Sequence, residues 1–189
     1  MEFVIDFQAF KTIGNKFVVK ELAVCALKSN VVTHFFIKPP TSGEYPLPKQ
    51  QISNRYVLHH LHAIPWDMGI IEFEDAVHWM KDVLFNPTHD SVPNETNKIL
   101  LYIKGSERCT FLRKLFESPS ISIIDLDELG CPQATKISCS YPEMLGPYHL
   151  ECPFDKHRNW PQFRCALTNA QRYKDWLLSE KQHSVIGDL

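Results

Sequence analysis

Apolar and polar residues alternate almost from the start of the chain. In Phe3-Val-Ile-Asp-Phe-Gln8 a period of two puts Val4, Asp6 and Gln8 on one face and Phe3, Ile5 and Phe7 on the other, which predicts a strand. Gly14-Asn15 turns the chain into a second strand, Lys16–Cys25. Both of its faces are rich in apolar residues, and strict alternation sets Glu21 beside Phe17, Val19 and Ala23. Val31–Lys38 is a third strand, stopped by Pro39-Pro40. Residues 39–54, rich in Pro, Ser and Gln, read as a surface loop, and Arg55–His62 as a short helix. Phe73, Ala76, Val77, Met80, Val83 and Leu84 keep the helical spacing, so Glu72–Phe85 is an amphipathic helix. A polar loop over 86–97 leads to Ile99–Ile103, a continuous apolar run suited to a buried central strand. A helix follows from Gly105-Ser106, with Phe111, Leu112, Leu115 and Phe116 facing inward, and ends before Ser118-Pro119. Ile121–Asp125 is a fifth strand. From Gly130 to Trp160 no period is visible, and a last helix is expected over Pro161–Lys181, with proline in its first turn.

This order predicts an α/β fold. Three strands with tight links pair antiparallel, and the two strands entered through helices lie parallel to the first, giving a five-stranded mixed sheet of order 3-2-1-4-5. At 189 residues and 44% hydrophobic content, the chain is expected to form one domain over residues 1–189 with a substantial core. The net charge of −2 argues against a broadly basic nucleic-acid binder, so any such contact would use a local patch. Six cysteines without a signal-like segment fit a reducing compartment, where burial or metal binding is expected over a disulfide framework. The expectation is an intracellular, cytoplasmic, soluble protein with no membrane contact.

Chemistry concentrates in the run from Cys152 through His157 to Cys165. A Cys-x4-His-x7-Cys array offers three ligands of the kind Zn²⁺ takes, and a tetrahedral site needs a fourth from elsewhere. The same residues also fit two buried structural thiols and a surface histidine. The aperiodic stretch 130–160 favours the metal, because a long irregular loop in a compact domain calls for a staple. Glu21 raises a separate question: a carboxylate on a buried strand face must be paired, ligate a metal or sit at the strand end. His59, His60 and His62 also invite a metal reading, although on a helix only one pair of them shares a face.

Val4-Ile-Asp-Phe-Gln-Ala-Phe10, followed by Phe17–Val24, resembles the opening of DEDD-type 3′–5′ exonucleases, which have a ribonuclease-H-like sheet. Phe36-Ile-Lys-Pro-Pro40, Leu100–Gly105 and Cys165-Ala-Leu-Thr-Asn-Ala170 fall at later landmarks of that family. The comparison implies that Asp6, Gln8, Arg164 and Asn169 stand at vestigial catalytic positions. Where the family has acids and a general base, Gln8, Asn169 and Arg164 supply none, and the second-motif aspartate would fall near Arg108, beside Glu107. Two divalent ions need several carboxylates to neutralise them, so the resemblance implies a dismantled site. The branch known for such loss is the Maelstrom domain, whose Glu-Cys-His-Cys set is thought to hold zinc. The chain is similar to it at Glu21, Cys152, His157 and Cys165. Cys139 and His149 are alternatives to Glu21 as the fourth ligand.

The resemblance implies a catalytically degenerate, zinc-stabilised domain that binds single-stranded RNA or protein partners of a small-RNA silencing pathway, in the cytoplasm, perinuclear granules or nucleus. Lys156, Arg158, Arg164, Arg172 and Lys174 are the candidate phosphate contacts, with a merely solvated basic face as the alternative. Two other functions follow from the same residues. One is a residual nuclease using Asp6 with Glu107 or Asp125, or cleaving single-stranded RNA. The other is a protein-interaction scaffold with no RNA contact.

Overall fold

The computed structural model describes residues 1–40, 48–85, 98–140 and 150–186. Strands β1 (Glu2–Lys11), β2 (Phe17–Ala26) and β3 (Val32–Phe36) are followed by α1 (Pro48–Val57), which runs on into a π-helical turn, Leu58–His62. Then come α2 (Phe73–Phe85), β4 (Ile99–Ile103), α3 (Ser106–Phe116), β5 (Ile121–Asp125), α4 (Ala134–Ser140), α5 (Asp155–Asn159) and α6 (Ala166–Ile186). The five strands form one mixed sheet of order β3-β2-β1-β4-β5. β1 pairs antiparallel with β2 and parallel with β4. β2 pairs antiparallel with β3, and β4 parallel with β5. This is the order expected from the succession of elements. No helix among the described residues is long and apolar enough to cross a membrane.

Each face of the sheet buries its own core. Phe3, Ile5 and Phe7 of β1 pack with Leu101 and Ile103 of β4, and with Ala76, Met80 and Leu84 of α2 and Leu112 and Phe116 of α3. Val4 and the opposite face of β2 pack instead with Ala166, Leu167, Ala170, Tyr173, Trp176 and Leu177 of α6. The alternation read in β1 therefore holds.

It fails in β2, at one residue. Gln8 pairs with Glu21 and Ala9 with Val19, so Lys20 is skipped as the extra residue of a β-bulge. A bulge reverses the parity of side chains on either side of it. Phe17 and Val19 accordingly lie with Leu22 and Val24 on the α2/α3 face, while Ala23 and Cys25 lie on the α6 face. Glu21 thus shares a face with Ala23 but not with Phe17 or Val19, which corrects strict alternation. The skipped Lys20 is fully buried, and its Nζ donates to the carbonyls of Trp66 (2.7 Å) and Met68 (2.5 Å).

Three further expectations change. Residues 48–54 are helical, because tertiary bonds hold a helix that has no apolar stripe of its own. Asn54 accepts from Lys11 N (3.1 Å) and donates to Lys11 O (2.9 Å), and Gln50 donates to Thr12 O (2.9 Å). The 130–160 stretch contains the short helices α4 and α5, too brief to show a period. The last helix begins at Ala166, not Pro161, for a reason that lies in the site.

Candidate metal centre and the Asp6 cluster

Four buried side chains converge between the sheet and the start of α6: Glu21 from β2, Cys152, His157 from α5, and Cys165 just before α6. The single turns of α5 rotate His157 inward, leaving it 8% exposed, so it is not a surface histidine. One ligand atom from each residue lies within 4.8 Å of all the others. Glu21 Oε1 is 3.2 Å from Cys165 Sγ, 3.4 Å from His157 Nδ1 and 3.8 Å from Cys152 Sγ, and Cys152 Sγ is 3.5 Å from His157 Nδ1. A tetrahedral ion with bonds of about 2.0–2.3 Å separates its ligands by about 3.3–3.8 Å. These four edges lie close to that range, and this buried Cys/His/Glu cluster could hold a metal ion.

The surroundings suit that use. His157 Nε2 donates to the carbonyl of His62 (2.6 Å), which orients the ring and leaves Nδ1 as the nitrogen that faces the cluster. Burial alone would push the Glu21 carboxyl up, but hydrogen bonds from His157 and His34 hold it down at about 2, so it is anionic. Its Oε2 accepts from Ala166 N (2.9 Å) and its Oε1 from His34 Nε2 (2.8 Å). The Cys165 thiol is pushed up, first by its bond with Cys152 and then by burial. A metal bound here would displace that proton.

Glu21 also decides where α6 begins. A carboxylate on the first free N–H of a helix satisfies an orphan donor and suits the positive end of the helix dipole. Glu21, far away in sequence, caps α6 at Ala166. Two residues earlier, Arg164 gives its N–H to Leu61 O (2.5 Å) and not to a helical partner. Residues 161–164 are spent on reaching the site, so Pro161 is not a first-turn proline.

Asp6 is fully buried on the same face of the sheet. Arg108 pairs with its Oδ1, while Gln8 (3.0 Å) and Asn169 (2.9 Å) donate amide N–H groups to its Oδ2. Burial raises the Asp6 carboxyl, opposed by Arg108 and by the Asn169 bond. The carboxylate is thus surrounded by one guanidinium and two neutral amides. Arg164 is exposed on the segment before α6, and the cation against Asp6 is Arg108. Glu107 is an exposed partner of Lys11 (2.7 Å), and Asp125 accepts from the N–H groups of Gly105 and Asp127 (both 2.9 Å). Neither of these acids is among the contacts of Asp6.

Among the proposed phosphate contacts, Lys156 and Arg158 are exposed on α5 and Arg164 on the segment between α5 and α6, while Arg172 and Lys174 are half-buried on α6. Arg158 is paired with Asp155, and Lys174 donates to Ser29 O (2.6 Å). His59 and His60 are exposed. His62 is buried and serves the cluster through its carbonyl, while burial drives its ring down to about 4. The side chain of Cys139 and the whole of His149 lie outside the described residues. Sequence reasoning missed His34, the His62 carbonyl and the reach of Arg108. His34 could have been found only from strand register, since it pairs with Ala23, two residues along from Glu21. No protein-family model matches this chain, and no curated protein matches it.

Proposed function

We propose that the chain is a zinc-stapled, catalytically degenerate exonuclease-like domain that binds single-stranded RNA rather than cutting it by two-metal chemistry. The observation that carries this reading is the set of partners around Asp6. Two-metal phosphoryl transfer needs several carboxylates held open toward solvent and ions. Here the one carboxylate is neutralised by a fixed cation and hydrogen-bonded on both oxygens. Zinc is favoured over harder ions by a donor set of two thiols, an imidazole and one carboxylate, and four-coordinate closure marks a structural role. When bound, the ion supplies folding energy rather than reactivity. The likeness to Maelstrom domains supports RNA as the partner class and an intracellular silencing pathway as the setting. The exposed cations of α5 and of the segment that follows it support a local basic contact.

The test uses end-labelled RNA and DNA with purified protein in Mg²⁺ or Mn²⁺, together with an electrophoretic shift on single-stranded RNA across a salt series. The expected result is intact label, with a shift that weakens as salt rises. Stepwise 3′ shortening that disappears in Asp6→Ala would overturn the degenerate reading. Absence of any shift at low salt would favour a protein-interaction scaffold, which the near-neutral charge and the Arg158–Asp155 pairing also suit.

A further inference from the structure

We infer that His34 is a positioning residue of the metal centre, holding Glu21 as a ligand through a hydrogen bond. The inference rests on the metal-site reading above and adds to it a residue outside the ligand set.

Among the described residues, Glu21 is the only ligand of the four that comes from the sheet, and it is the only oxygen donor. A monodentate carboxylate is the weakest-held member of such a set, because either oxygen can rotate toward the ion and either can be drawn off by protein donors. Here the two oxygens are assigned separate tasks. Oε2 is committed to Ala166 N at the start of α6, which fixes the plane of the carboxylate. Oε1 lies nearest the other three ligand atoms and receives His34 Nε2 at 2.8 Å. A carboxylate oxygen has lone pairs for both a donor and an ion. His34 therefore points Oε1 at the centre without occupying its coordinating lone pair.

The placement of His34 suits this task and no other in view. It sits on the edge strand β3 in register with Ala23, so its ring reaches diagonally across the strand pair to Glu21. Phe36 packs edge-on against the ring, with centroids 4.9 Å apart, which limits its rotation. His34 is not itself grouped with the ligand atoms, and its side chain is 11% exposed where that of Glu21 is 0%. Its ring thus stands between the buried oxygen and solvent. Outer hydrogen-bond partners of this kind commonly contribute about 10–100-fold to metal affinity. The His62 carbonyl serves His157 in the same way, so both non-sulfur ligands have a dedicated partner.

The experiment titrates metal-free protein with Co²⁺, followed by its visible absorption, and with Zn²⁺ against a chromophoric chelator. It compares wild type with His34→Asn, whose amide is too short to reach Glu21, and His34→Gln, whose amide nitrogen falls near the position of Nε2. Melting of all three in excess chelator separates folding from binding. The expected result is matching chelated melts, Zn²⁺ affinity about 10–100-fold weaker and an altered Co²⁺ spectrum in His34→Asn, and recovery of both in His34→Gln. Equal affinity and an unchanged spectrum in His34→Asn would overturn the inference, as would equal loss in both variants. If the chelated melt of His34→Asn collapses, His34→Gln decides alone: wild-type binding supports the inference and weakened binding overturns it. Wild-type protein that takes up neither ion overturns the metal reading itself, an outcome distinct from these.

Discussion

Asp6 and Arg108 form a pair in which one member is wholly buried and the other is 24% exposed. Such a pair is poor evidence for stability, since desolvation of the carboxylate offsets much of the attraction. Breaking it from one side is a different matter, because the partners left to the charge, the Gln8 and Asn169 amides and the Phe7 backbone, are all neutral. Arg108→Met is therefore expected to cost about 3–5 kcal/mol at neutral pH in urea unfolding, and Asp6→Asn in the same chain to restore most of it. The pH dependence has a definite sign. The Asp6 carboxyl is raised in the folded state, so it binds its proton more readily folded than unfolded, and rising pH through that window costs stability. Removing Arg108 raises it further. The deficit of Arg108→Met should shrink as pH falls toward the ordinary carboxylate range, and a deficit that grows on acidification would contradict the assignment.

At the scale of elements, the segment that starts at His62, the end of the π-helical turn, is a strut between the sheet and the site. His62 gives its carbonyl to His157, Trp66 and Met68 give theirs to Lys20, and Lys38 N donates to Ile71 O (2.8 Å). Gly69 lets this strut lie against β3's continuation. A Cβ there would stand 2.3 Å from the backbone carbon of Ile37, and the φ of 149° already disfavours a side chain. Gly69→Ala should lower stability by about 2–4 kcal/mol in urea unfolding. Gly14, with φ of 72° and open space around its Cβ position, serves as the control and should lose only about 1 kcal/mol. Equal effects of the two substitutions would show that the close approach at Gly69 is not sustained in solution.

Over the whole molecule, the cluster joins parts of the chain that are far apart: β2, the connection carrying α5, and the start of α6. The two sheet faces have their own cores, so the domain does not depend on metal alone in the way a zinc finger does. An ion held at 100 times its Kd adds about 2.7 kcal/mol. For a domain of this length that corresponds to about 5–10 °C in Tm. Chelation should lower Tm by that amount, and Cys165→Ser and His157→Ala should melt like chelated wild type and ignore added Zn²⁺. Variants that melt with the metal-loaded wild type would remove the staple from the account.

What the chain alone determined is what short-range periodicity encodes. Alternation in Phe3–Gln8 fixes which side of β1 carries Asp6, and the order of strands and helices fixes the sheet, because crossover handedness and link length leave few arrangements. The types and spacing of Cys152, His157 and Cys165 disclosed their chemistry, and the resemblance supplied Glu21. Tertiary structure decided the rest. The bulge at Lys20 has no local signature, yet it sets which residues share the face of Glu21. The start of α6 is set by a carboxylate 145 positions away in sequence. Helix 48–57 is held by bonds to β1 rather than by its own pattern. His34 and Arg108 gain their roles only when β3 and α3 are brought against Glu21 and Asp6. Periodicity records how a residue faces its neighbours along the chain, whereas a partner that arrives from another element leaves no trace in that spacing.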